Sequence, residues 1–169
     1  PETETDWSSG AVFIVNKPYR WTSFRIVGLI RKLIGIKKVG HAGTLDPLAT
    51  GVVVVCVGKA TKLVEYYMNT GKSYVAEITL GATTPSYDSE TEISDTATYD
   101  HVSEDAVRRI LESDFTGEIH QIPPMYSAVK HKGRPLYKMA RVGKEIEREP
   151  RKVIIHSISL LEFNPPLIR

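Results

Sequence analysis

Cysteine is nearly absent: the 169-residue chain has one, Cys56. A lone thiol has no partner within the chain, which excludes an internal disulfide framework and points to a reducing cytoplasm. Long apolar runs are missing too. No stretch reaches the ~20 residues of a membrane-spanning helix, and the polar start Pro1-Glu2-Thr3-Glu4-Thr5-Asp6 lacks the basic and apolar regions of a signal peptide. Neither membrane insertion nor export is expected. The histidines His41, His101, His120, His131 and His156 are scattered, with no His-x-x-x-His or Cys-x-x-Cys pair, so no metal site is expected. Neither Gly-x-x-x-x-Gly-Lys-Ser/Thr nor Gly-x-Gly-x-x-Gly occurs, and a nucleotide cofactor has no support. An excess of one charge is also lacking. The net charge of +2 is too mild to identify a nucleic-acid binder, because clustered charge, not its sum, attracts phosphates.

What is present reads as an ordinary folded domain, 41% hydrophobic and 25% charged. Residues 1–9 are polar and unpatterned and read as a flexible leader. Ala11-Val12-Phe13-Ile14-Val15 reads as a strand. Thr22 or Ser23 can cap a helix whose Ile26, Leu29, Ile30, Leu33 and Ile34 form one apolar stripe, with Gly35 stopping it. Arg25, Arg31, Lys32, Lys37 and Lys38 cluster on its other face and exit; an ordinary solvated face is the preferred explanation for them alone. Val52-Val53-Val54-Val55-Cys56-Val57 reads as a strand buried on both faces, and 60–68 as a short helix. Cys56 within that run is expected to be an inert, protonated thiol.

Residues 72–80 alternate, placing Tyr74, Ala76, Ile78 and Leu80 on one face of a half-buried strand. Residues 81–102 read as loop with at most a short strand. Ser103 caps a helix expected to bury Ala106, Val107, Ile110 and Leu111, ending before Gly117. Residues 121–134 mix bases with prolines and read as a protruding basic loop, after which Pro135 opens a short helix closed by Gly143. A last strand is expected over 152–163. No linker divides the chain.

The segment that could carry chemistry is Gly40-His41-Ala42-Gly43-Thr44-Leu45-Asp46-Pro47-Leu48-Ala49-Thr50-Gly51, three glycines, a His and an Asp-Pro between a basic helix and a buried strand. Composition alone favours a structural turn there, with Asp46 bonding its own backbone and Pro47 fixing φ, over a catalytic carboxylate.

Those twelve residues, however, resemble the catalytic motif of the TruB family of pseudouridine synthases. Further segments match in the family's order: Asn16-Lys17-Pro18 with Thr22-Ser23, Lys72-Ser73-Tyr74, Leu80-Gly81 with Asp88, and Gln121-Ile122-Pro123-Pro124-Met125-Tyr126-Ser127-Ala128-Val129-Lys130. The resemblance runs over residues 10–163. Through Gly133, Leu136-Tyr137, Ala140-Arg141 and Gly143 it is closer to bacterial tRNA enzymes than to guide-RNA-dependent synthases.

The resemblance implies an α/β (α+β) fold, a mixed and mainly antiparallel sheet flanked by helices. It implies isomerisation of the T-loop uridine of tRNA, nucleotide 55, to pseudouridine, without metal, organic cofactor or required protein partner. Asp46 would be the nucleophile: breaking a C–N glycosidic bond and rejoining through carbon needs a carboxylate to hold a reactive intermediate. Tyr74 would stack on the target uracil, with a core tyrosine as its alternative. His41 would pack against RNA and help admit the flipped base, or else orient the glycine loop. Lys17 and Pro18 would support the catalytic loop first and meet RNA second. Tyr126, Lys130, Lys132 and Arg134 belong to a segment, about 121–150, that would grip the T stem-loop.

Two positions depart from the family pattern. Arg20 stands where a glycine usually follows the first Lys-Pro, and Thr91 where a glycine commonly follows the Asp88 turn. The chain also stops before the family's Cys-Ser-x-Gly-Thr-Tyr-Ile-Arg strand, whose arginine pairs with the catalytic aspartate, and before a carboxy-terminal RNA-binding domain. The 169 residues alone are therefore expected to be weak or inactive.

Overall fold

β-Branched and aromatic residues dominate 11–17 and 51–57, and each run forms a seven-residue strand in the computed structural model of the chain, which describes residues 5–127 and 129–169. β1 (Ala11–Lys17) pairs antiparallel with β3 (Gly51–Val57), Phe13 opposite Val55 and Lys17 opposite Gly51. Between them in the chain come α1 (Ser23–Ile34) and β2 (Val39–Ala42). β2 joins the other side of β3, with His41 opposite Val55, giving a sheet ordered β1-β3-β2. A 3-10 turn over Gly58–Leu63 and α2 (Val64–Met68) follow where one short helix was expected.

The core of this region is the seam between α1 and the sheet: Ile26 and Val27 pack with Val39, Val53, Val55 and Val57, all nearly sealed from solvent. Each such side chain contributes roughly 1.5–3 kcal/mol by leaving water. Thr22 caps α1 by accepting from the Arg25 N–H at 3.1 Å, and Gly35 ends it. The expected apolar stripe is rotated. Leu29 and Leu33 stay exposed while Val27 turns inward beside Ile26, Ile30 and Ile34, because the sheet covers the arc centred near Ile30. β3 is likewise not buried throughout: Val52 is exposed at its start, whereas Val53, Val55, Cys56 and Val57 are sealed. Cys56 is sealed by its neighbours, and that burial pushes its thiol pKa up, the form expected for an unreactive sulfur.

Of the expected leader, residues 1–4 lie outside the described part. In the rest, Trp7–Ser9 form a 3-10 turn capped by Asp6, and the Trp7 ring packs 5.5 Å from that of Phe13. One aromatic ring suffices to anchor a segment that shows no periodicity.

The chain divides into two compact units, Pro1–Ser73 and Tyr74–Arg169, although no sequence signal marks a linker. The second unit is built of short pieces. β4 (Ile78–Thr79) pairs with a late strand; β5 (Ala82–Thr83) pairs with β6 (Asp95–Thr96) across the expected loop; α3 (Glu104–Asp114) is capped by Ser103 and leads to β7 (Gly117–Gln121). β8 (Lys130–His131) and β9 (Arg134–Pro135) precede α4 (Leu136–Ala140). β10 (Arg151–Ile155) pairs with β7, and β11 (Phe163–Asn164) pairs with β12 (Leu167–Ile168), which also pairs with β4. Every pair among the described residues is antiparallel.

Three expectations fail in this unit. The alternating run 72–80 forms a strand only at Ile78–Thr79, and residues 71–79 are all exposed, because only those two residues meet a partner strand. The strand expected over 152–163 stops at Ile155, opposite the first residue of its five-residue partner β7, and Phe163 belongs to a separate strand, β11. In α3, Ile110 is 49% exposed, and Ala106, Val107 and Leu111 are only half-buried.

Candidate active site

The loop from Gly43 to Thr50 joins two neighbouring antiparallel strands, β2 and β3, so both its ends are fixed by the sheet. Gly43 at φ 94° and Gly51 at φ 124° take the two left-handed corners, which a side chain would strain. Between them Asp46-Pro47-Leu48-Ala49 forms a β-turn, closed by the Ala49 N–H donating to the Asp46 carbonyl at 3.0 Å, with Pro47 at the position whose φ it presets. The turn inferred from composition is therefore real. It also places the Asp46 side chain in the exposed part of the loop.

Three residues from the β1–α1 connection brace this turn. The Pro47 carbonyl accepts from the Arg20 N–H at 2.7 Å and from Lys17 Nζ at 3.3 Å. Ser23 Oγ accepts from the Leu45 N–H at 3.0 Å and donates to the Leu45 carbonyl at 3.3 Å. Both main-chain groups of the residue before Asp46 are thus held by one buried hydroxyl, while the Leu45 side chain packs against the core.

Lys17, expected to support the loop first and to meet RNA second, is fully buried, with its ammonium turned to the loop. Its three N–H donors find three carbonyls, Trp21 at 2.7 Å, Pro18 at 3.2 Å and Pro47 at 3.3 Å. Burial holds its pKa below the ordinary lysine value, and the Asp46 carboxylate acts in the opposite direction. Lys17 thus serves the loop as a buried cation, bonded to the turn and felt by Asp46.

His41 sits on β2, half-buried, with Nδ1 2.6 Å from the Gly43 carbonyl. A carbonyl only accepts, so Nδ1 carries the proton, and the ring is oriented against the first corner of the loop. Asp46, His41 and Lys17 are therefore gathered in the first unit.

The other expected site residues belong to the second. Tyr74 is 71% exposed in a stretch without strand pairing, outside the core formed by the described residues. Tyr126 is half-buried and lines a cleft, and Lys130 is exposed at the start of a hairpin. Ala128, in the same segment, lies outside the described residues. The expected basic loop is in part this hairpin: Lys132 at φ 48° and Gly133 at φ 81° make the two-residue turn between β8 and β9.

The basic cluster on α1 is partly spoken for. The Arg25 guanidinium lies 3.9 Å from the centre of the Trp21 ring, and Arg31 donates to the Val39 carbonyl at 2.9 Å. Lys32, Lys37 and Lys38 remain exposed. Among the described residues no group of three His, Cys, Asp or Glu side chains is placed to hold a metal, and no helix is long and apolar enough to cross a membrane. Sequence reasoning missed Ser23 and Arg20 as braces. The signal was available in the spacing Lys17-Pro18…Thr22-Ser23, but Ser23 reads there as a helix cap.

Antiparallel sheets flanked by helices, with a carboxylate carried on a braced turn between two strands, define a pseudouridine synthase fold. The chain shares it with a chain of a solved Cbf5-Nop10-Gar1 complex at TM-score 0.67 and 30% identity, covering 95% of this chain and 38% of that one. The model of the TruB family pseudouridylate synthase N-terminal domain matches residues 31–169, and the chain belongs to that family. It is 52% identical over 155 residues to a tRNA pseudouridine synthase B of Dehalococcoides mccartyi, covering 92% of this chain and 51% of the relative. With a tRNA pseudouridine synthase B of Bacteroides fragilis it shares 49% identity over 170 residues, 97% of this chain and 72% of the relative. The chain thus spans about half the length of the first of these relatives.

Proposed function

We propose that the full-length protein isomerises the T-loop uridine of tRNA, nucleotide 55, to pseudouridine, with Asp46 as the nucleophile. The observation that carries this reading is the exposed Asp46 on a turn whose flanking carbonyls and amide are fixed by Lys17, Arg20 and Ser23. A carboxylate held this way needs little reorganisation to meet a reacting sugar or base. In the reaction the N1–C1′ bond breaks, a C5–C1′ bond forms, the C5 proton is lost to water and N1 gains one. Side chains suffice for these steps, with no metal or organic cofactor.

Tyr74 is proposed to stack on the extruded uracil, for which its uncovered ring is suited. His41, oriented through Gly43, is proposed to pack against the RNA beside the opened site. Tyr126 and Lys130 are proposed to contact the T stem-loop, Lys130 through phosphate. Higher identity to the bacterial tRNA enzymes, 52% against 30% for the chain from the Cbf5-Nop10-Gar1 complex, supports action on tRNA without guide RNA or protein partner; a cytoplasmic location is proposed with it.

The test is tritium release from a T stem-loop transcript labelled at C5 of the target uridine, with no partner added. Full-length protein should release tritium. Asp46→Asn should release none while still binding the RNA. Absence of release by the wild type would sink the proposal.

A further inference from the structure

Positive charge is spread unevenly along the chain. Between Asp6 and Asp46 there is no Asp or Glu, while Lys and Arg recur throughout, a bias that the net charge of +2 conceals. Most of these cations are committed elsewhere or lie away from the turn that carries Asp46. Lys17 is buried against carbonyls, the Arg25 guanidinium lies 3.9 Å from the Trp21 ring centre, and Arg31 donates to the Val39 carbonyl. Lys32, Lys37 and Lys38 belong to the far end of α1 or lie beyond it. Arg20 is different: it is exposed, and its main chain is bonded to the turn.

Its backbone is left-handed at φ 63°, which an L side chain adopts only at a cost. The Arg20 N–H donates to the Pro47 carbonyl at 2.7 Å, one residue after Asp46. That bond needs only a backbone, and glycine would make it without strain. The main-chain role therefore does not account for the side chain. Packing does not account for it either. The residue is exposed, and its guanidinium lies 5.4 Å from the centre of the Tyr19 ring, near the ~6 Å limit of a cation–π contact. Strain retained at an exposed residue beside a reactive group points to a ligand.

The chemistry of that ligand follows from the setting. A planar guanidinium with N–H donors and no acceptor suits an oxyanion, phosphate above all. An RNA that brings its target nucleotide to Asp46 also brings the phosphates on either side of it, and the carboxylate repels both. A cation fixed to the same turn offsets that repulsion.

We propose that Arg20 grips a backbone phosphate flanking the target uridine, a contact that glycine in its place could not make. This rests on the RNA-modifying reading given above, and concerns the phosphate and not the reacting base or sugar.

The experiment measures binding of full-length protein to T stem-loop RNAs in which each loop phosphate is replaced in turn by a neutral methylphosphonate. For the wild type, replacement of one phosphate beside the target should weaken binding about tenfold, the scale of a charge-assisted hydrogen bond. Arg20→Gly should weaken binding of the unmodified RNA by about the same factor, lower the salt slope by about one, and lose nothing more at that one position. KM should rise while kcat stays nearly unchanged. Arg20→Lys keeps the charge without the fork of donors, so it should keep the salt slope and lose part of the affinity. Misfolding cannot imitate this pattern, because Arg20→Gly relieves backbone strain. Wild-type binding by Arg20→Gly, a loss that adds in full at every methylphosphonate, or a lowered salt slope in Arg20→Lys would overturn the contact. So would a fall in kcat in place of the rise in KM, which would assign the guanidinium to Asp46 itself. Tritium release separates the two proposals: release with no Arg20 dependence of binding removes only the phosphate contact, whereas Arg20-dependent binding without release keeps the contact and removes the reaction.

Discussion

Ser23→Ala is the sharpest perturbation of the turn that carries Asp46. It deletes one oxygen from a site 1% exposed and with it two hydrogen bonds, at 3.0 and 3.3 Å, to the main chain of Leu45. Each bond contributes a net ~1 kcal/mol, and leaving the half-buried Leu45 amide and carbonyl unpaired adds to the loss, so a destabilisation of about 2–3 kcal/mol is expected. With a urea dependence of about 1–3 kcal/mol per molar, the unfolding midpoint should fall by about 1 M. Both tryptophans of the chain, Trp7 and Trp21, lie in the first unit, so their fluorescence reports the unfolding of that unit alone. In the full-length protein kcat should fall at least tenfold with KM nearly unchanged, because Ser23 is buried and cannot touch RNA while a turn displaced by a fraction of an ångström misplaces the carboxylate. Thr22→Ala is the matched control. It removes the exposed cap bond to the Arg25 N–H, costing ~1 kcal/mol, and leaves Leu45 untouched. It should lower stability and spare kcat. A midpoint shift under ~0.2 M for Ser23→Ala, or an equal loss of kcat in both variants, would refute the bracing argument.

Two further outcomes follow from the same connection. Burial lowers the Lys17 pKa, so the folded protein binds that proton less tightly than the unfolded chain, and this group's contribution to stability improves as pH rises from its folded pKa toward the ordinary lysine value of 10.5. Lys17→Met lacks the group; urea midpoints measured between pH ~8 and ~10 should show a smaller gain, or larger loss, with rising pH than the wild type, and identical slopes would contradict the assignment. Arg20 holds φ 63° with its side chain exposed. Arg20→Gly relieves a strain of about 1–2 kcal/mol at the cost of about 0.5–1 kcal/mol of chain entropy, so the fluorescence-detected midpoint should rise slightly; a clear fall would show that the guanidinium, 5.4 Å from the Tyr19 ring, matters more than the backbone.

Where the sequence is locally periodic or carries a cap, it specifies its structure. The ends of α1 and α3 follow from Thr22, Gly35 and Ser103, and β1 and β3 from their β-branched runs. Where an element depends on a distant partner, periodicity misleads. The alternation over 72–80 specifies a face, yet only Ile78–Thr79 finds a strand to pair with. The hairpin of β8 and β9 hid because its left-handed corner is Lys132, where Asn or Asp would have signalled the turn.

The sequence by itself determined the family and the residue at its centre, because twelve consecutive residues around Asp46 carry a pattern that needs no geometry to read. Only the tertiary structure decided what Lys17, Arg20 and Ser23 do. Their partners are the Pro47 carbonyl and the Leu45 main chain, more than twenty residues away. A hydrogen bond between such distant points is set by how β1, α1 and β3 pack, and no local preference of serine, arginine or lysine encodes it. The same packing buries the Lys17 cation beneath the turn that carries Asp46.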